Sequence, residues 1–187
     1  MSRNIVFTGM RGSGKSHFGS EFAKKNWYRF VDTDQEIEKR AGKKIAEIVA
    51  QNGWGTFRKM EYDVCKELSS VENTIISVGG GTVMQKENVE LLKKNSIFVF
   101  LYAPPKELFR RLEKSKHKRP PLRKGLSLRE EIQVIWQERR ATFFETADFV
   151  FCFLFFSSDP RENVSKNVGV LQRLVDSIFH KNMVKYR

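Results

Sequence analysis

Five short apolar runs, rich in β-branched and aromatic residues, punctuate the chain. They are NIVFT (Asn4 to Thr8), YRFVD (Tyr28 to Asp32), TIISV (Thr74 to Val78), SIFVFLY (Ser96 to Tyr102) and DFVFCFLFF (Asp148 to Phe156). Runs of this length and composition predict strands. The stretches between them have helical spacing. KKIAEIVAQNG sets Ile45, Ile48 and Val49 on one face and is expected to stop at Gly53. PPKELFRRLEK opens on prolines suited to a first turn, and SLRE (Ser127 to Glu130) has the form of a capping box. SDPRE offers Asp159 as an N-cap with Pro160 as first helical residue. Strand and helix in alternation predict an α/β fold: a five-stranded parallel sheet with helices on both faces.

The length of 187 residues fits one domain spanning 1–187, with no repeat or linker long enough to divide it. The longest apolar run, FVFCFLFF (Phe149 to Phe156), reads as a buried strand and falls far short of a membrane span. NIVFTG runs straight into a glycine-rich loop, so no leader is expected, and the location implied is cytoplasmic. Cys65 and Cys152 have no metal-ligand or CxxC spacing; both are expected to be core thiols in a reducing compartment.

Net charge of +12 admits nucleic acid, a membrane surface or acidic small molecules as partners. No RNP-like, zinc-finger or repeated basic-helix pattern accompanies it, so no nucleic acid is expected. One insertion, KSKHKRPPLRK (Lys114 to Lys124), carries six Lys or Arg and no acid. It is either a solvated loop or a mobile lid over phosphates, the lid then spanning about 114–126. The tail from about 180 to 187 is basic.

GMRGSGKS fills the GxxxxGK[ST] pattern with Gly9, Gly14, Lys15 and Ser16, after a predicted strand and before a predicted helix. Gly12, Ser13, Gly14, Lys15, Ser16 and His17 are therefore the candidate nucleotide-binding set. Loop amides and the helix N-terminus would meet phosphate, Lys15 would reach the β- and γ-phosphates, and Ser16 would ligate Mg²⁺. Asp32 and Asp34 end the second predicted strand, at the sheet edge where ligands sit in open α/β folds. One could serve Mg²⁺ and the other a reacting hydroxyl, or Asp34 could simply cap the next helix. Arg58 and Glu61 lie one helical turn apart and could form a weak surface pair. Gly79, Gly80 and Gly81 follow the third strand directly, where close approach of a ligand to the backbone would explain their entropic cost. Arg139 and Arg140, taken singly, read as surface charges or as ligands.

In order along the chain, GMRGSGKS, DTD, FRKME, GGG, RPPL and ERRATF resemble the signatures of shikimate kinase, a P-loop family of the nucleoside-monophosphate-kinase-like fold. The resemblance covers roughly Asn4 to Val175. It implies a P-loop NTPase fold with a mobile lid, ATP as co-substrate, Mg²⁺, shikimate as acceptor, and a monomer. Asp34, Arg58, Gly80 and Arg139 match the shikimate-holding positions, with Gly79 and Gly81 beside them; Asp34 would serve the attacking hydroxyl, and Arg58 and Arg139 the carboxylate. Arg119 of RPPL matches the lid arginine, and Lys15 and Arg119 would spread charge off the transferred phosphoryl group. One of Arg110 or Arg111, here Arg111, resembles a second nucleotide-side arginine. Asp32 and Ser16 match the Mg²⁺ side. Two departures stand out: His17 replaces the usual Thr, and ATF follows Arg140 where Pro-Leu-Tyr is common, leaving Arg140 as the fallback carboxylate arginine. A related small-molecule kinase such as a gluconate kinase, or a P-loop protein without kinase activity, remains the alternative.

Overall fold

The computed structural model describes residues 4–114, 122–123, 125–153 and 160–184, without the side chains of 160–161 and 178–184. Its centre is a parallel sheet of β1 (Asn4–Thr8), β2 (Arg29–Asp32), β3 (Thr74–Ser77), β4 (Ser96–Tyr102) and β5 (Phe149–Cys152), in the order β2-β3-β1-β4-β5. Around it lie α1 (Lys15–Lys25), α2 (Thr33–Ala41), α3 (Ile45–Leu68), α4 (Lys86–Lys93), α5 (Pro105–Glu113), α6 (Leu128–Thr146) and α7 (Pro160–Val184).

The sheet is buried on both faces because each parallel crossover is helical. Side chains of β1 divide with a period of two. Ile5 and Phe7 pack with Phe18 and Phe22 of α1 and with Val168, Leu171 and Val175 of α7. Val6 faces the opposite core, with Ile37 of α2, Val64 of α3, Leu108 of α5 and Phe143 of α6. Strand β1 pairs Ile5 with Ile75 of β3 and with Ile97 of β4. That central position aims the loop after Thr8 over the C-terminal edge of the sheet, where the order reverses around β1.

The capping box at Ser127 and Glu130 is present, and Pro105 and Pro160 open their helices. Asp159 lies outside the described residues. Four expectations change. Gly53 does interrupt a helix (φ 76, ψ 170), but the chain resumes helical geometry at once, so α3 runs on through a kink. The cap of α2 is Asp32, whose Oδ1 accepts from Gln35 N, not Asp34. Strand β5 is an edge strand rather than a buried one, with Val150 on it 45% exposed, and residues 154–156 of the expected run lie outside the described residues. Cys152 accordingly points to solvent, whereas Cys65 is buried, and burial pushes its thiol pKa up. Among the described residues no helix is long and apolar enough to cross a membrane.

Candidate functional site

Helix α1 begins on Gly14, whose φ of 94 lies in the left-handed region that glycine adopts without cost. Gly14 has no side chain to cap the helix, and the first turn holds no acid, unlike α2 and α6. The N–H groups of that turn and the positive end of the helix dipole therefore face the loop uncompensated, a geometry that favours an anion. Lys15 is only 9% exposed, and its ammonium donates to the carbonyls of Gly9 (2.9 Å) and Met10 (3.1 Å). Ser13 is buried, and its hydroxyl finds no partner among the described residues.

Ser16 Oγ donates to Asp32 Oδ2 at 2.5 Å and lies 3.4 Å from Ser77 Oγ. A hydroxyl, a carboxylate and a second hydroxyl gathered at the mouth of the loop are hard oxygen donors of the kind Mg²⁺ takes beside phosphate. The residues present thus fit that ion. Ser77 was not among the residues singled out from sequence; its place at the carboxyl end of β3 was the available signal.

Beside the loop, Arg111 donates from Nη1 to the carbonyl of Ser13 (3.2 Å), while Nε donates to Glu107 (2.7 Å). Its guanidinium carbon is 5.9 Å from the ring centre of Phe153, which also sits within 4 Å of where a methyl on Gly14 would be. Arg110 instead pairs with Glu107 on the surface, so Arg111 is the loop-facing member of the pair. Hydrogen bonds from Arg110 and then Arg111 hold Glu107 down to about 2. His17 is exposed on α1 and lies in a groove with Glu21, Lys24, Lys25 and, from α7, Val164 and Val168. Arg119 lies outside the described residues.

The three glycines after β3 are the floor of the remaining cluster. A methyl on Gly79 would stand 2.8 Å from Asp34 Oδ1, 3.2 Å from Thr82 Oγ1 and 3.4 Å from Glu61 Oε1. One on Gly81 would stand 2.7 Å from Arg58 Nη2. One on Gly80 would meet the Gly9 carbonyl at 3.3 Å and Arg139 Nη1 at 3.9 Å. This turn therefore touches Asp34, Arg58 and Arg139 and backs onto the phosphate loop. Arg139 donates to the Gly80 carbonyl (2.9 Å), whereas Arg140 is exposed. Burial, and then the positive charge of Arg58, lower the pKa of Arg139. Two guanidinium groups held close together against their mutual repulsion make a site for an anion.

Glu61 is not a surface partner of Arg58. It is 1% exposed, accepts from Arg58 Nη1 at 2.5 Å, and accepts from Thr82 Oγ1 at 2.6 Å. Burial outweighs the pull of Arg58 and raises its pKa. A carboxyl whose folded value is raised contributes stability that is full below its unfolded value of about 4.5 and is lost as pH rises through the folded value. Thermal unfolding of Glu61→Gln and the parent across roughly pH 4 to 8 should thus show the parent losing ground as pH rises. Parallel curves would contradict the raised value.

The family model described as Shikimate kinase matches residues 11–166. A shikimate kinase of Pelotomaculum thermopropionicum is 42% identical over 141 residues, covering 75% of this chain and 81% of that protein. The crystal structure of a shikimate kinase from Bacteroides thetaiotaomicron superposes with a TM-score of 0.84 at 32% identity, covering 94% of this chain and 99% of the other. That of a shikimate kinase from Acinetobacter baumannii in complex with shikimate gives 0.80 at 25% identity, covering 95% of each chain.

Proposed function

The chain belongs to the shikimate kinase family, and on that premise we propose how its own residues carry the reaction, the ATP-dependent phosphorylation of the 3-hydroxyl of shikimate to shikimate 3-phosphate and ADP. The observation that supports the assignment of roles is the Gly79–Gly81 turn, which lies against the phosphate loop at Gly9 and against Asp34, Arg58 and Arg139. Donor phosphate and acceptor would then bind beside the same turn, the proximity that in-line transfer needs.

The loop amides of Gly12 to His17 hold the nucleotide's phosphates, with Arg111 on the nucleotide side. Lys15 exchanges the Gly9 and Met10 carbonyls for the β- and γ-phosphates and stabilises charge on the transferred group. Ser16 and Asp32 would hold Mg²⁺, which would supply positive charge to the phosphate oxygens. Arg58 and Arg139 take the shikimate carboxylate, each charge-assisted bond adding about 1.5–3 kcal/mol. Asp34 orients the 3-hydroxyl and accepts its proton as the oxygen attacks the γ-phosphorus and the bond to ADP breaks. Gly79, Gly80 and Gly81 keep the floor free of side chains, and Arg119 of the basic segment closes over ATP. The reading is of one cytoplasmic domain acting as a monomer on a small molecule, with neither nucleic acid nor membrane involved.

Coupled ADP release with shikimate, with gluconate and with no acceptor tests the whole. Turnover that depends on shikimate is expected; turnover on gluconate alone would favour the related kinase. The carboxylate grip has its own test. Arg139→Ala should raise the shikimate KM by about tenfold or more with little change in the ATP KM, and Arg140→Ala should change neither. The opposite pattern would shift the grip by one residue.

A further inference from the structure

Trp54 is 47% exposed, a large aromatic with no core to explain it. It opens the second half of α3, directly after the break at Gly53, and Arg58 stands one turn further on. The guanidinium carbon of Arg58 lies 5.6 Å from the Trp54 ring centre and 5.2 Å from that of Phe57. The two rings meet edge to face, with centroids 5.8 Å apart and planes at 82°. Phe57 is buried and belongs to the core by that fact alone. Trp54 does not.

Glu61 holds Arg58 at Nη1. A bond at one nitrogen fixes the position of a guanidinium but leaves its plane free to turn. Bidentate recognition of a carboxylate depends on that plane. Aromatic faces supply the missing restraint, since a cation is drawn to the ring and a planar one stacks on it; indole has the strongest face. The backbone of Gly81 comes close to the same guanidinium, since a methyl there would stand 2.7 Å from Arg58 Nη2, so only a glycine leaves the group room to keep this position.

We infer that Trp54 is a positioning residue for the acceptor's carboxylate, stacking on Arg58 so that the guanidinium is set in its binding plane before the acceptor arrives. The inference rests on the reading of Arg58 as a carboxylate grip, and the test separates the two.

Equilibrium binding of shikimate and of its uncharged methyl ester is measured for the parent, Trp54→Ala, Trp54→Phe, Arg58→Ala and the double variant Trp54→Ala/Arg58→Ala. Trp54→Ala should weaken shikimate binding roughly three- to tenfold and leave the ester almost unaffected. Trp54→Phe should recover most of the loss. In the Arg58→Ala background, removal of Trp54 should add nothing. In turnover, Trp54→Ala should raise the shikimate KM while kcat and the ATP KM hold. Equal weakening of acid and ester, or an undiminished effect of Trp54→Ala in the Arg58→Ala background, would overturn the inference and make Trp54 an apolar wall. If Arg58→Ala itself leaves the preference for acid over ester intact, the grip fails, and its positioning with it. Trp54→Phe keeps the test decisive even if the alanine variant folds poorly.

Discussion

Lys15→Met is expected to lower kcat by about 10²- to 10³-fold while the protein still folds. In the proposed mechanism the ammonium follows charge onto the transferred phosphoryl oxygens, and methionine keeps its length and packing without that charge. In the structure the ammonium is buried against the carbonyls of Gly9 and Met10. Methionine leaves those carbonyls without their donor, a cost of about 1–3 kcal/mol in stability that the loop glycines can lessen by relaxing. Steady-state turnover at saturating ATP and shikimate, with a melting curve alongside, separates the two effects. A kcat within a few-fold of the parent would remove Lys15 from the transfer step.

Asp34→Asn should have the other large effect, a fall in kcat of about 10²- to 10⁴-fold, with shikimate binding largely kept. Asparagine has the same shape and still offers an oxygen toward Gly79, beside which Asp34 Oδ1 now lies. It can orient the hydroxyl but takes no proton. Comparing kcat with the affinity for shikimate distinguishes these roles. Loss of affinity with kcat preserved would make Asp34 a binding group and not the proton acceptor. Asp34 does not cap its helix, since Asp32 does, so Asp34→Asn leaves the cap of α2 in place.

The strands were legible because period and length agree: four of the five runs coincide with strands to within a residue. The fifth run was expected to be buried and is not, because apolar residues at a sheet edge face solvent on alternate positions, as Val150 and Cys152 do, and composition carries no sign of which strand will be an edge. Capping at Ser127 was legible because it is a local contract between residues three apart. The alternative that Asp34 caps α2 fails by two residues, since both Asp32 and Asp34 are acceptable acids in that turn and Asp32 takes the place.

The candidate site shows a sharper division. Residue types in order along the chain were enough to name Lys15, Ser16, Asp32, Asp34, Arg58, Gly80 and Arg139. Spacing also put Glu61 beside Arg58, but could not say that Glu61 is buried and held by Thr82 as well. Burial is a sum over elements distant in sequence. Ser77 and Phe153 escaped notice because neither belongs to a spaced motif; each acquires its neighbour, Ser16 or Arg111, only when the sheet brings strand ends together. The choice between Arg139 and Arg140 was likewise open, since adjacent residues on a helix differ by about 100° in direction and only the packing of α6 selects the one that faces Gly80.

Sequence by itself thus determined the order of elements, the phosphate loop and the charges available to bind an anion, because local periodicity and residue chemistry act over a few positions. Tertiary structure alone decided which of those charges meet, which are buried and which face water, because desolvation and close approach depend on chain segments that the sequence separates by dozens of residues.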